Sequence, residues 1–168
     1  MTHNRIFAAI GAVLLTALVS GLVIIGNKPP APNPNLVTVY KTPTCGCCEK
    51  WVDHLKSDGF EVRVYERPTL QSIRARYGVP DRLASCHTAH IDGYAIEGHV
   101  PGRDIRRLLT EKPDITGLSV PGMTVGSPGM EMEGRSDPFK VIAFSPNETV
   151  VFNAYDGVRD TGSEAQSQ

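Results

Sequence analysis

Lys41-Thr42-Pro43-Thr44-Cys45-Gly46-Cys47-Cys48-Glu49-Lys50-Trp51 decides how the chain is read, because it gathers three of the four cysteines into one short run. Before it, Leu36–Tyr40 is rich in β-branched and aromatic residues and predicts a strand. From Cys45 the pattern turns helical. Cys48, Trp51, Val52 and Leu55 recur at helical spacing, Thr44 is placed as the N-cap, and Gly59 ends the run. Thiols at a strand-to-helix turn sit at the positive end of the helix dipole, beside unpaired backbone N–H groups, which favours thiolate over thiol. A thiolate there attacks a disulfide or binds a soft metal. The rest of the sequence has to separate those two roles.

Toward the C-terminus, Glu61–Tyr65 alternates as a second strand. Pro68-Thr69 opens a second helix with Leu70, Ile73 and Tyr77 on one face and Gly78 at its end. A loop over Val79–Ser85 leads to Cys86-His87-Thr88-Ala89-His90, and Asp92-Gly93 signals a hairpin. Pro101-Gly102-Arg103 introduces a helix with Ile105, Leu108 and Leu109 inward, stopping before Pro113. The Gly-, Pro- and Met-rich stretch from Gly117 to Gly134 reads as loop. Lys140–Phe144 and Thr149–Asn153 read as a closing pair of strands. The order β-α-β-α with further elements after it, and cysteines at the end of the first strand, predicts an α/β domain of thioredoxin-like type over residues 36–156. The polar tail, 157–168, is expected to be disordered.

Toward the N-terminus, residues 27–35 hold four prolines and predict a semi-rigid extended linker. Residues 6–26 are apolar and uncharged, close to the ~20 residues that span a bilayer as a helix. No Ala-x-Ala cleavage site closes the run, so it reads as a transmembrane signal-anchor rather than a cleaved signal peptide. Arg5 in the leading residues 1–5 favours a cytoplasmic N-terminus, with the domain exported. The expected location is the bacterial inner membrane, single-pass, with the soluble domain in the periplasm. A net charge of −1 with scattered basic residues leaves no footprint for nucleic acid.

Cys45 and Cys48 form a Cys-x-x-Cys, with Cys45 as nucleophile and Cys48 as resolving thiol, and Val120-Pro121 offers a proline to face the pair. Cys47 disturbs that reading, since a third thiol beside the pair invites the wrong disulfide. Cys45, Cys47 and Cys48 with Cys86 as a fourth instead supply a soft ligand set, of the kind that selects Cu(I), zinc or iron–sulfur clusters. Structural zinc prefers two separated Cys-x-x-Cys pairs, so zinc is the weaker fit. Crowded thiolates suit a multinuclear Cu(I) site. Two structural disulfides are a poor use of such clustered cysteines. His90 follows Cys86 at a spacing of four, which puts both on one face of an extended segment and makes His90 the favoured histidine ligand, ahead of His99 and His87. His54 reads as a solvated helix residue. Met123, Met130 and Met132 crowd one loop; methionine is ordinarily a core filler, but thioethers also prefer Cu(I), and Met123 and Met130 are candidate ligands.

Five segments together resemble a known family: Thr44–Cys48, Ser85–Ala89, Tyr94–Pro101, Gly117–Met123 and Gly126–Glu131. They are similar to the CopG-like family of exported bacterial copper-resistance proteins, formerly a domain of unknown function, and the resemblance covers Val37 to Tyr155. It implies a thioredoxin-like fold and a copper site in which Cys45, Cys47, Cys48 and Cys86 hold or bridge the metal, with His90 as a further ligand. Thr124, where many members of that family carry proline, is a departure that touches the methionine loop and not the cysteines. The expectation is a periplasmic copper-binding protein that sequesters Cu(I) and contributes to copper resistance, with copper redox activity open to it. Copper-delivery or efflux proteins are its expected partners. A thiol–disulfide oxidoreductase using Cys45 and Cys48 is the alternative.

Overall fold

The computed structural model describes residues 33–157. The expected cytoplasmic segment 1–5, anchor 6–26, most of the linker 27–35 and nearly all of the tail 157–168 lie outside the described residues. Among the described residues no helix is long and apolar enough to cross a membrane.

The described chain is an α/β fold built on one seven-stranded sheet. Its elements are β1 (Leu36–Lys41), α1 (Gly46–Ser57), β2 (Glu61–Glu66), α2 (Gln71–Arg76), a 3-10 turn (Asp81–Leu83), β3 (His87–Ile91), β4 (Tyr94–Gly98), α3 (Gly102–Glu111), β5 (Gly117–Val120), β6 (Phe139–Phe144) and β7 (Thr149–Tyr155). The strand order is β2-β1-β3-β4-β5-β6-β7. β1 runs parallel to β2 and antiparallel to β3, β4 runs antiparallel to β3 and parallel to β5, and β6 and β7 continue antiparallel.

Each element follows from its side chains. In β1 burial alternates, with Val37 and Val39 fully inside. α1 buries Cys48, Trp51, Val52 and Leu55 on one stripe and leaves Glu49, Lys50 and Asp53 in solvent. Trp51 and Leu55 pack with Val37, Ala89, Ile96, Val100, Ile105 and Leu118 in the main core. The Trp51 indole N–H donates to the Val100 carbonyl at 2.9 Å, which satisfies its one polar atom. The Asp92-Gly93 turn joins β3 to β4 with both residues at positive φ, as the sequence signal requires. The last linker residues, Asn33–Asn35, form a turn that hands the chain to β1 through Leu36 N–H donating to Asn33 O.

Three local expectations change. The residue before α1 in capping position is Cys45, with no side-chain cap, so Thr44 is not the N-cap. α2 starts at Gln71 rather than at Pro68-Thr69, and none of its own residues is buried; Leu70, just before it, is the buried one. Gly117–Val120 is a strand and not loop. It lies between β4 and β6 and is buried along its whole length, so no polar–apolar alternation announces it. Gly117 is required there, because a Cβ would run into the Ala95 backbone of β4.

Candidate metal centre

The first turn of α1 carries Cys47 and Cys48, and Cys45 precedes it. The bend before β3 brings Cys86 against them across the sheet end. Cys45 and Cys48 are joined as a disulfide, while Cys47 and Cys86 are free thiols. Cys47 Sγ is 3.6 Å from Cys45 Sγ and 3.9 Å from Cys86 Sγ. Cys48 Sγ lies 3.5 Å from the Cys86 carbonyl. The four sulfurs all lie within 4.8 Å of one another.

Two histidines extend the cluster on the far side of Cys86. His99 Nε2 is 3.0 Å and His87 Nδ1 is 3.4 Å from Cys86 Sγ, and these three form a second group with ligand atoms within 4.8 Å. His99 Nδ1 donates to the Pro128 carbonyl at 2.7 Å, which fixes its proton on Nδ1 and leaves the Nε2 lone pair facing the thiol. His87 is fully buried, its ring 4.2 Å from Trp51 and 5.0 Å from His99, and its Nε2 has no hydrogen-bond partner among the described residues. Burial lowers the pKa of both imidazoles, His87 well below the ordinary range. Both are therefore neutral and keep a lone pair. Burial, and then the neighbouring Cys47, push the Cys86 thiol up to about 12, so with no metal bound Cys86 is a thiol donating to His99.

His90 does not join this group. Its ring stacks on Tyr77 at 4.9 Å. β3 begins at His87, so Cys86 lies in the bend before it, outside the pleat whose alternation put Cys86 and His90 on one face. His99 enters because Gly98, at φ 71°, turns the end of β4 into the site. His54 also stays apart: its Nε2 accepts the Gly102 N–H at 3.1 Å and faces Asp58 at 3.4 Å.

The methionine loop divides. Met123 is exposed. Met130 and Met132 line an open groove of about 630 Å³ together with Gly46, Cys47 and Glu131. Gly129 anchors that turn on α1, since a Cβ there would meet Trp51 N and Cys47 O. Pro121 leads into Gly122, whose N–H donates to Ala84 O beside the Cys86 segment, and no peptide bond among the described residues is cis.

The donor set is soft sulfur flanked by neutral imidazole. It fits a thiophilic cation such as Cu(I) better than a hard one.

A solved structure described as copper resistance protein CopG, form 1, is 41% identical, with a TM-score of 0.70 over 74% of this chain and 99% of that one. Form 2 of the same protein is 40% identical, with a TM-score of 0.68 over 71% and 97%. This chain belongs to the CopG-like family. A family model described as a protein of unknown function, DUF411, matches residues 83–130, which run from the Cys86 bend through His99 to the methionine loop. No curated protein matches the chain.

Proposed function

We propose that this protein sequesters Cu(I) in a cluster of the Cys45, Cys47, Cys48 and Cys86 thiolates, as a periplasmic copper-resistance protein tethered by residues 6–26. One observation carries the reading: four sulfurs from two distant segments converge within 4.8 Å. At that crowding, thiolates bridge metals, and more than one Cu(I) per chain is expected. His99 and His87 extend the donor set on the Cys86 side, and Met130 offers a thioether at the outer mouth by Cys47. The order β2-β1-β3-β4, with a cysteine-bearing helix after β1, supports a thioredoxin-like core. The uncharged run 6–26 and the proline-rich spacer after it support membrane anchoring and display in the periplasm. Copper-delivery and efflux proteins are the partners such a role needs.

The Cys45–Cys48 disulfide favours a second activity of the same atoms. Opening that bond takes two electrons and yields two thiolates, and two Cu(I) ions oxidised to Cu(II) supply two electrons. Closing it returns them to copper. A thiol–disulfide oxidoreductase acting on a dithiol substrate through Cys45 and Cys48 is the alternative.

Anaerobic Cu(I) loading of the reduced full-length protein, followed by metal analysis, separates the readings. More than one copper per chain, lowered by Cys47→Ser and by Cys86→Ser, supports sequestration. A protein that stays metal-free after loading, yet turns over disulfides through Cys45, overturns it.

A further inference from the structure

Glu97 is fully buried and Arg74 mostly so, and their ion pair closes around a single residue, Ser85, which directly precedes Cys86. Glu97 Oε1 accepts the Ser85 N–H at 2.7 Å and the Arg74 Nε–H at 3.0 Å. Arg74 Nη2 donates back to the Ser85 carbonyl. Glu97 Oε2 accepts the Thr88 hydroxyl at 2.6 Å, on the other side of Cys86. The segment that carries Cys86 is therefore held at Ser85 N, Ser85 O and Thr88 Oγ1 by one ion pair.

Two further features point the same way. α2 buries none of its own side chains fully, its ends being held by the buried Leu70 and Val79, and it is Arg74 that carries the helix to the Cys86 segment. Gly98 packs so closely on Ser85 that a Cβ would strike the Ser85 side chain, and the residue after Gly98 is His99. Ser85 thus sets Cys86 on one side while lying against the turn that sets His99 on the other.

We propose that Arg74 and Glu97 are positioning residues for the metal centre, a clamp that holds Cys86 Sγ against His99 and Cys47 in the arrangement a metal requires. The inference rests on the copper-binding reading of the site. A buried ion pair is costly to desolvate and is weak evidence for stability alone, whereas groups that orient metal ligands typically change metal affinity 10–100-fold. Arg74 suits the task because its planar fork reaches a carboxylate and a carbonyl at once, which a lysine ammonium cannot reproduce.

Arg74→Lys and Glu97→Gln test it in the full-length protein, with Arg76→Lys on the same helix as control. Cu(I) affinity is measured by competition with bathocuproine disulfonate, and the Cu(I)–thiolate charge-transfer absorbance is recorded. Alkylation of Cys86 in the metal-free protein is followed by peptide mass spectrometry. The expected result for Arg74→Lys is about 10-fold or greater loss of affinity, an altered absorbance and faster Cys86 alkylation, with cooperative thermal unfolding retained. Arg76→Lys changes none of these. If Arg74→Lys unfolds cooperatively at a lower temperature but keeps wild-type affinity, absorbance and alkylation rate, the pair is structural only and the proposal is overturned. Should Glu97→Gln fail to fold, Arg74→Lys carries the same readouts. Wild-type protein that takes up no copper overturns the copper reading, and the alkylation arm still reports whether the pair holds Cys86.

Discussion

Cys86 Sγ and His99 Nε2 stand 3.0 Å apart, Cys86 in the bend before β3 and His99 just past the end of its antiparallel partner β4, where Gly98 takes a positive φ. The Pro128 carbonyl commits His99 Nδ1, so the imidazole faces Cys86 with its lone pair and with no freedom to exchange tautomers. His99→Ala removes that lone pair and leaves the Pro128 carbonyl without its donor. The expected outcome is about 10-fold or greater loss of Cu(I) affinity and about 1–3 kcal/mol of stability. A competition titration and a denaturant melt of the same preparation check both.

The disulfide divides the four thiols into two classes. Protein isolated without reductant should show two rapidly countable free thiols after unfolding, Cys47 and Cys86, and four after reduction. Copper uptake by the oxidised form should fall well short of the reduced form, because Cys45 and Cys48 cannot ligate as thiolates while joined. Ellman titration beside metal analysis gives the comparison. Equal copper uptake by the two forms would remove Cys45 and Cys48 from the site.

The sulfur half of the site was legible in the sequence because thiols announce themselves by type: Cys45, Cys47 and Cys48 cluster in the chain, and only Cys86 remained to be placed. The histidine half was not. Cys86 and His90 have the right spacing for one face of a strand, yet the strand begins one residue after Cys86 and His90 ends up on Tyr77. His99 depends on a positive φ at Gly98, which spacing does not encode, although a glycine just before a histidine at a strand end was a usable hint. The first four strands and three helices were readable from period and turn residues. β5 was hidden because Gly117–Val120 is short, buried on both faces and set in a run of glycine and proline.

Gly129 is where the methionine turn meets α1. At φ 84° and with Trp51 N and Cys47 O in the way of a Cβ, Gly129→Ala cannot be accommodated without moving the turn. The expected cost is about 1–3 kcal/mol by thermal or denaturant unfolding. Met130 should swing away from Cys47 with it, so Cu(I) loading in a stopped-flow experiment should slow. Gly122→Ala, also at positive φ but with open space around its Cβ, should carry only the backbone cost and leave loading unchanged.

Stability should fall at alkaline pH for reasons that two residues make separable. Burial and Cys47 raise the Cys86 thiol from 9.0 to about 12. Burial and Asp104, which accepts its hydroxyl, raise Tyr155 above the usual 10.0. A group whose folded pKa lies above its unfolded value favours the protonated, folded form. Its contribution is complete below the unfolded pKa and is lost as pH climbs through the folded one. The metal-free protein should therefore hold its melting temperature up to about pH 9 and lose it progressively between roughly 9 and 12. Cys86→Ser should remove the earlier part of the fall and Tyr155→Phe a share of the part beginning near pH 10, the rest staying with Tyr77, which burial and its hydrogen bond with Tyr40 also raise, so each variant has a flatter profile than wild type. In the same window the alkylation rate of Cys86 should rise close to 10-fold per pH unit, because the reactive thiolate is the minor species until pH approaches 12. An alkylation rate that levels off near pH 9 would mean that Cys86 is neither desolvated nor held beside Cys47.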